Sequence, residues 1–267
     1  MESVHLSDRA VIALEGPQAR DLLQGLITND LTALVPGQGL YGALLAPQGK
    51  ILFDFFIAEG DGAVLLDCPA ASAEALVRKL QLYRLRAKVE IALRSQLGVY
   101  AGLTGRPAER AITFADPRLA ALGPRSIGAV AEMPAELPGP AIYHALRLSL
   151  GVPEGSDFGS DKIFALDAGL DELHAIAFAK GCYIGQELTA RMKHRGTARK
   201  RILALSADTA LPAEGDVMAG DSAIGEIIAA YGTKAFALVR LDRLEATSAE
   251  LQVAQLPVTL TKPAWLD

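Results

Sequence analysis

A cysteine set between glycines is the first place in this chain where residue types and spacing point to chemistry. The stretch Lys180-Gly181-Cys182-Tyr183-Ile184-Gly185-Gln186-Glu187 places one thiol beside a lysine, just ahead of a run of good helix formers through Met192. Glycines let the backbone turn sharply and bring a ligand close to main-chain N–H groups. A thiol near the positive end of a helix, with a cation beside it, gains thiolate character. Such a group serves as a nucleophile, a redox thiol or a ligand for a soft metal; the plain alternative is an inert, half-buried thiol. The segment that follows, Arg191 to Arg201, holds six Lys or Arg and one His in eleven residues, with no carboxylate. It reads either as a solvated face or as a site for a carboxylate tail, a phosphate or RNA. It lacks interleaved aromatics on which bases could stack, so nucleic acid is not read as the main ligand.

Asp30 is the second candidate. It falls in a loop after a helix, beside Asn29, where a carboxylate can project into a cleft; the alternative is ordinary turn chemistry. Other sites are excluded. No CxxC or CxxH occurs, and His5, His144, His174 and His194 are scattered. A complete metal site is therefore not read from this chain, and any cluster at Cys182 needs ligands from elsewhere. No G-x-S-x-G supports a serine hydrolase. Cys68, before Pro69, reads as a small buried hydrophobe.

The elements that must position these groups follow from pattern. Residues 10–14 (AVIAL) read as a strand and residues 17–26 as an amphipathic helix entered through Pro17. Residues 41–45, 51–58 and 63–66 read as strands joined by turns at 47–49 and 59–62. Residues 70–85 carry helical spacing, with strands at 89–93 and 97–101. This order predicts an α+β fold with helices layered on an antiparallel sheet. Residues 102–140 are rich in proline, Pro107 among them, with strands predicted at 111–115 and 126–131 and a helix at 141–150 bearing Tyr143. Beyond the basic run, short β-runs separated by Pro and Gly predict a small barrel or sandwich. The division expected is a body over 1–195 and a barrel over 196–267.

Bulk properties agree with a globular protein. The 267 residues are 51% hydrophobic with a net charge of −5, against indiscriminate nucleic-acid binding. Two cysteines make no disulfide framework, so a reducing cytoplasm is the expected location. The N-terminus shows no secretory pattern, and no stretch reaches the roughly 20 apolar residues a membrane span needs, so no membrane partner is expected.

The motif K-G-C-Y-x-G-Q-E, with A-R and then R-G after it, resembles the signature of the folate-binding YgfZ-type proteins. These are relatives of the aminomethyltransferase (T-protein) of the glycine cleavage system and include mitochondrial iron–sulfur assembly factors. Residues 12–30 (IALEGPQARDLLQGLITND) and 40–54 (LYGALLAPQGKILFD) resemble the family's opening strand, helix, loop and hairpin. The resemblance covers nearly the whole chain; a departure is 164–170, which lacks the family's Pro and Asn. It implies an aminomethyltransferase-like body enclosing a pocket for tetrahydrofolate or a derivative, closed by a C-terminal antiparallel β-barrel. It further implies roles by position. Cys182 and Asp30 would be the catalytic pair. Asn29, Asp30, Tyr143, Lys180, Gln186, Glu187 and Arg191 would meet the folate, with Tyr143 stacking on the pterin unless it is a core aromatic. The function implied is a folate-binding accessory protein for iron–sulfur cluster assembly or repair, partnered by a reduced folate and a cluster carrier or client, tRNA-modifying enzymes included. Two other readings stand beside it: a folate-dependent one-carbon transferase, and an RNA-binding module built on the basic run. Sequence does not establish turnover.

Overall fold

The chain enters through β1 (Val4–His5) and β2 (Arg9–Glu15), then α1 (Ala19–Gln24) and the strands β3 (Leu40–Leu45), β4 (Ile51–Gly60) and β5 (Ala63–Pro69). In this computed structural model residues 3–60, 62–102, 108–134, 136–196 and 199–266 are described; Asp61 of the predicted turn and Pro107 lie outside them. With β6 (Glu90–Leu93), which follows α2 (Ala70–Arg84), these strands form an antiparallel sheet in the order β3-β4-β5-β2-β6. Its strands read as nearly continuous apolar runs because both faces are covered. Side chains alternate with a period of two. On β4, Phe55 and Ile57 face the helices, where Leu23, Leu76 and Leu80 meet them. Phe56 and Ala58 face the opposite side and join Val11, Tyr41 and Leu65 in a second core. Each fully buried Leu, Ile or Phe contributes about 1.5–3 kcal/mol.

A four-stranded antiparallel sheet covers that second core, in the order β1-β7-β9-β8, from β7 (Leu97–Ala101), β8 (Ile112–Ala115) and β9 (Pro124–Ala129). The strand expected at 126–131 begins two residues earlier, at Pro124. A proline is tolerated as the first residue of a strand, where no ladder N–H is needed. Helix α3 (Ala141–Ser149) follows. Residues 150–185 contain no long element, yet Ile163, Leu166, Leu170 and Leu173 are buried in the same core.

Helix α4 (Gln186–Arg195) leads into β10 (Lys200–Ser206), β11 (Asp216–Ala219), β12 (Ser222–Tyr231), β13 (Lys234–Arg240), α5 (Leu241–Glu245), β14 (Leu251–Val253), β15 (Leu256–Pro257) and β16 (Thr259–Thr261). These strands curl into a nearly closed antiparallel barrel, in the order β15-β14-β11-β12-β13-β10-β16, with bulges at Val217/Met218 and Ile227/Ala229. Bulges raise local twist and help a sheet close. Leu203, Leu205, Val217 and Val239 fill the barrel, while Ile202, Phe236 and Leu238 face outward into the body's core.

Candidate functional site

The thiol stands on a loop that neighbours hold from both sides. Tyr183 is buried and Ile184 packs against the core beneath the helices. Gly185 has φ +82, and a Cβ there would lie 2.6 Å from the Ala46 carbonyl oxygen. The start of α4 therefore sits directly on the turn between β3 and β4, an approach and a conformation that favour glycine. The Thr189 hydroxyl donates to the Gly185 carbonyl at 3.0 Å and closes the first turn of α4. Between these anchors Cys182 is exposed as a free thiol.

Lys180 is not the thiol's cation. Its ammonium donates to three backbone carbonyls, of Gln24 (2.9 Å), Ile27 (2.8 Å) and Asn29 (2.7 Å), and so gathers the chain that leaves α1. Burial lowers the Lys180 pKa to about 8, the Asp30 carboxylate pulling the other way. Asn29 is likewise structural: its amide donates to the carbonyls of Tyr41 (2.7 Å) and His174 (2.8 Å), and its oxygen accepts the Asp30 N–H. Asp30 caps a short turn. Its Oδ1 takes bonds from the Thr32 N–H (2.9 Å), the Thr32 hydroxyl (2.7 Å) and the Gln24 amide (3.0 Å). These bonds, the Thr32 N–H first, hold its carboxyl below the usual range and make it a stable anion at the surface. The fold thus brings Asn29, Asp30, Lys180 and Cys182 into one neighbourhood, with Asn29 and Lys180 bonded mainly to backbone and Asp30 to Thr32 and Gln24.

Part of the basic run is already paired within the chain. Arg191 pairs with Glu187 one helical turn back (2.6 Å), Lys193 with Asp171 (2.7 Å) and Arg201 with Glu172 (3.2 Å). Two of the three partners, Asp171 and Glu172, lie far back in the sequence, where local reading does not look for them. Burial and the adjacent Asp171 push Glu172 up to about 7. Gln186 starts α4 through a backbone N–H to the Tyr183 carbonyl at 3.3 Å.

The polar residues that sequence reasoning missed form a closed ionic centre where the two body sheets, α3 and the barrel meet. Arg9, Arg118, Arg125 and Arg147 face Asp54, Asp67, Asp116, Glu154 and Asp157, all buried. Arg118 forks onto Asp116 (3.0 and 2.8 Å) and reaches Glu154 at 2.6 Å. Arg9 bonds Asp67 at 2.6 Å, and Arg147 bonds Asp157 at 2.5 Å. Tyr231 of β12 donates to Asp157 and brings the barrel into the network. Tyr143 belongs here too, which corrects its reading as a pterin platform. It is 1% exposed, its hydroxyl meets Arg118 (2.6 Å), Arg125 (3.1 Å) and Glu154 (2.9 Å), and burial pushes its pKa up to about 12. The Arg125 guanidinium lies 3.8 Å over the Phe56 ring, a cation–π contact.

Comparison with known proteins places this geometry. A family model described as CAF17, C-terminal beta-barrel domain, matches residues 199–267. The Mus musculus protein named iron-sulfur cluster assembly factor IBA57, mitochondrial, is 32% identical over 97% of this chain and 84% of its own length. The Homo sapiens protein of the same name is 31% identical over the same shares. Among solved structures, the glycine cleavage system aminomethyltransferase T from Bartonella henselae superposes with a TM-score of 0.78. It covers 99% of this chain and 86% of that one at 18% identity, a likeness of fold. The aminomethyltransferase-like architecture with a C-terminal barrel is therefore as expected. The cytoplasmic location is not: the relatives are named mitochondrial, and that points to a mitochondrial placement instead. Scarce cysteine reports a chain without disulfides and carries no address.

Proposed function

The chain belongs to the family of IBA57 iron–sulfur cluster assembly factors, and from that premise we propose that it serves iron–sulfur cluster assembly through Cys182. The carrying observation is an exposed thiol on a loop fixed on both sides, by Lys180 and by Gly185. Iron–sulfur clusters are held by cysteine thiolates, usually several. Cys68 cannot be a second ligand, since it is buried and burial pushes its thiol up to about 12. No group of three or more His, Cys, Asp or Glu among the described residues is placed to hold a metal ion. Cys182 would supply one thiolate, and the remaining ligands would come from a carrier or client protein. Clients would include cluster enzymes that modify tRNA.

The folate named by the resemblance fits the residues poorly. Asn29 and Lys180 have their donors on backbone carbonyls, and Glu187 and Arg191 pair with each other. Tyr143, expected against the pterin, has its hydroxyl bonded to Glu154 inside the ionic centre. The chemistry assigned to this chain therefore runs through the thiol, and no step runs through a folate. The basic run, partly neutralised by Glu187, Asp171 and Glu172, gives the RNA reading no support. No helix of the described residues is long and apolar enough to cross a membrane.

The test is complementation of cells lacking the gene. Cys182→Ala is expected to restore no cluster-enzyme activity while accumulating to the level of the unaltered chain. Full restoration would remove the thiol from the function.

A further inference from the structure

An open groove of about 770 Å³ runs between the C-terminal end of α3 and the barrel edge made by β10, β13 and β16. Its walls are apolar, from Leu119, Leu148, Leu150, Ala204, Pro263 and Trp265. The Trp265 indole N–H donates to the Leu150 carbonyl at 2.9 Å, so the ring is fixed as a wall rather than swinging in solvent. Gly151 sits where a Cβ would come within 2.5 Å of the Pro263 ring, so the tail of the chain is seated on the end of α3 and shapes one side. Lys234 and Lys262 stand at the groove, and neither ammonium has a hydrogen bond or ion pair among the described residues. Among the described residues no Asp or Glu lines it, although the chain carries 31 acidic residues against 26 basic ones. Its volume lies within the usual range for small-molecule sites, about 300–1,000 Å³.

We propose that this groove binds a small anionic amphiphile, its apolar chain or ring seated against Trp265, Leu148 and Ala204 and its terminal carboxylate held by Lys234 and Lys262. The sign of the ligand follows from two ammonium groups without partners in a lining whose described residues include no acid. Its apolar body follows from the walls, whose hydroxyls among the described residues are those of Ser149, Ser206 and Thr261. The proposal does not depend on Cys182 or on the reading of the family's function.

Trp265 is the chain's single tryptophan, so its emission reports the groove directly. Titration of the full chain with decanoate below its micelle concentration is expected to give a saturable change in emission. Decyltrimethylammonium, with the same chain and the opposite charge, is expected to give none. The Lys234→Ala/Lys262→Ala double variant is expected to weaken decanoate binding about two- to thirtyfold, the range set by two exposed charge pairs. Added salt should weaken binding in the same direction. Ala204→Phe, which places a ring in the groove, is expected to abolish the change while the circular dichroism spectrum stays that of the unaltered chain. Absence of saturation, an equal response to the cation, or full affinity in the lysine variant would each overturn the proposal.

Discussion

Replacing Glu154 by Gln tests the ionic centre most directly, because this one carboxylate faces three arginines. Its Oε2 accepts from Arg118 at 2.6 Å and from Tyr143 at 2.9 Å; its Oε1 lies 3.7 Å from Arg9 and 3.9 Å from Arg147. Burial alone would raise the Glu154 pKa, but Arg118, Arg9 and Arg147 outweigh it and hold the carboxyl well below its ordinary value. Removing one partner of a buried pair typically costs about 3–5 kcal/mol, because the opposite charge is left uncompensated. Here Arg118 keeps its fork onto Asp116, and buried Asp54, whose pKa is raised by burial and in part by Glu154, can ionise more readily once Glu154 is neutral. Both effects favour the lower end, and the expected loss at pH 7 is about 3 kcal/mol. Urea unfolding of Glu154→Gln beside the unaltered chain gives the difference from midpoint and slope. The pH dependence has a definite sign. A carboxyl with a depressed folded pKa adds stability that is fully present above its unfolded pKa and is lost as pH falls through the folded one. The gap between the two proteins should therefore be constant above about pH 5 and narrow on acidification. A loss below about 1 kcal/mol at pH 7 would refute the view that Glu154 compensates buried arginine charge.

Four further outcomes are expected. Gly185→Ala forces a side chain into a left-handed conformation and against Ala46, and should destabilise by about 1–3 kcal/mol in thermal or urea unfolding. Lys180→Met removes the donor to three carbonyls and should speed amide exchange across Thr28–Asp30; unchanged protection would show that the loop holds itself. Glu172, with its pKa raised to about 7 by burial and Asp171, binds a proton more readily when folded, so its contribution falls as pH rises from about 5 to 8. Glu172→Gln should flatten that slope in urea midpoints taken across the range. Finally, an aromatic disulfide reagent should titrate one fast thiol in the native chain, Cys182, and two after denaturation, because Cys68 is buried.

The early part of the chain was legible because its signals are local. The run at 40–69 is apolar with breaks at Gly49 and Gly62, and the strands fall at Leu40–Leu45, Ile51–Gly60 and Ala63–Pro69, β4 running two residues into the turn expected at 59–62. The neighbourhood of Asn29, Asp30 and Cys182 was legible through motif and resemblance. What the residues do there was not. Lys180 lies two positions from the thiol in sequence, yet its side chain runs to the carbonyls after α1, a direction that spacing does not encode. The ionic centre was hidden more thoroughly. Arg9, Asp67, Arg118, Arg147 and Glu154 show no common spacing, and a lone charge in a sequence reads as surface. Only the packing of distant elements shows that each meets its opposite. Residues 160–175 were opaque for a related reason: Leu166, Leu170 and Leu173 are buried without a regular element whose period could announce it.

The ionic centre also sets how the molecule comes apart. Its arginines stand on β2, on the loop after β8, on β9 and on α3, and Tyr231 joins it from the barrel. If one sheet loosened alone, it would leave charged groups stranded on those that remained, in a setting where each stranded charge is costly. Partly opened states are therefore penalised well beyond the contacts they lose. Calorimetry is therefore expected to show body and barrel melting in one transition, and a destabilising change in either is expected to lower the stability of both.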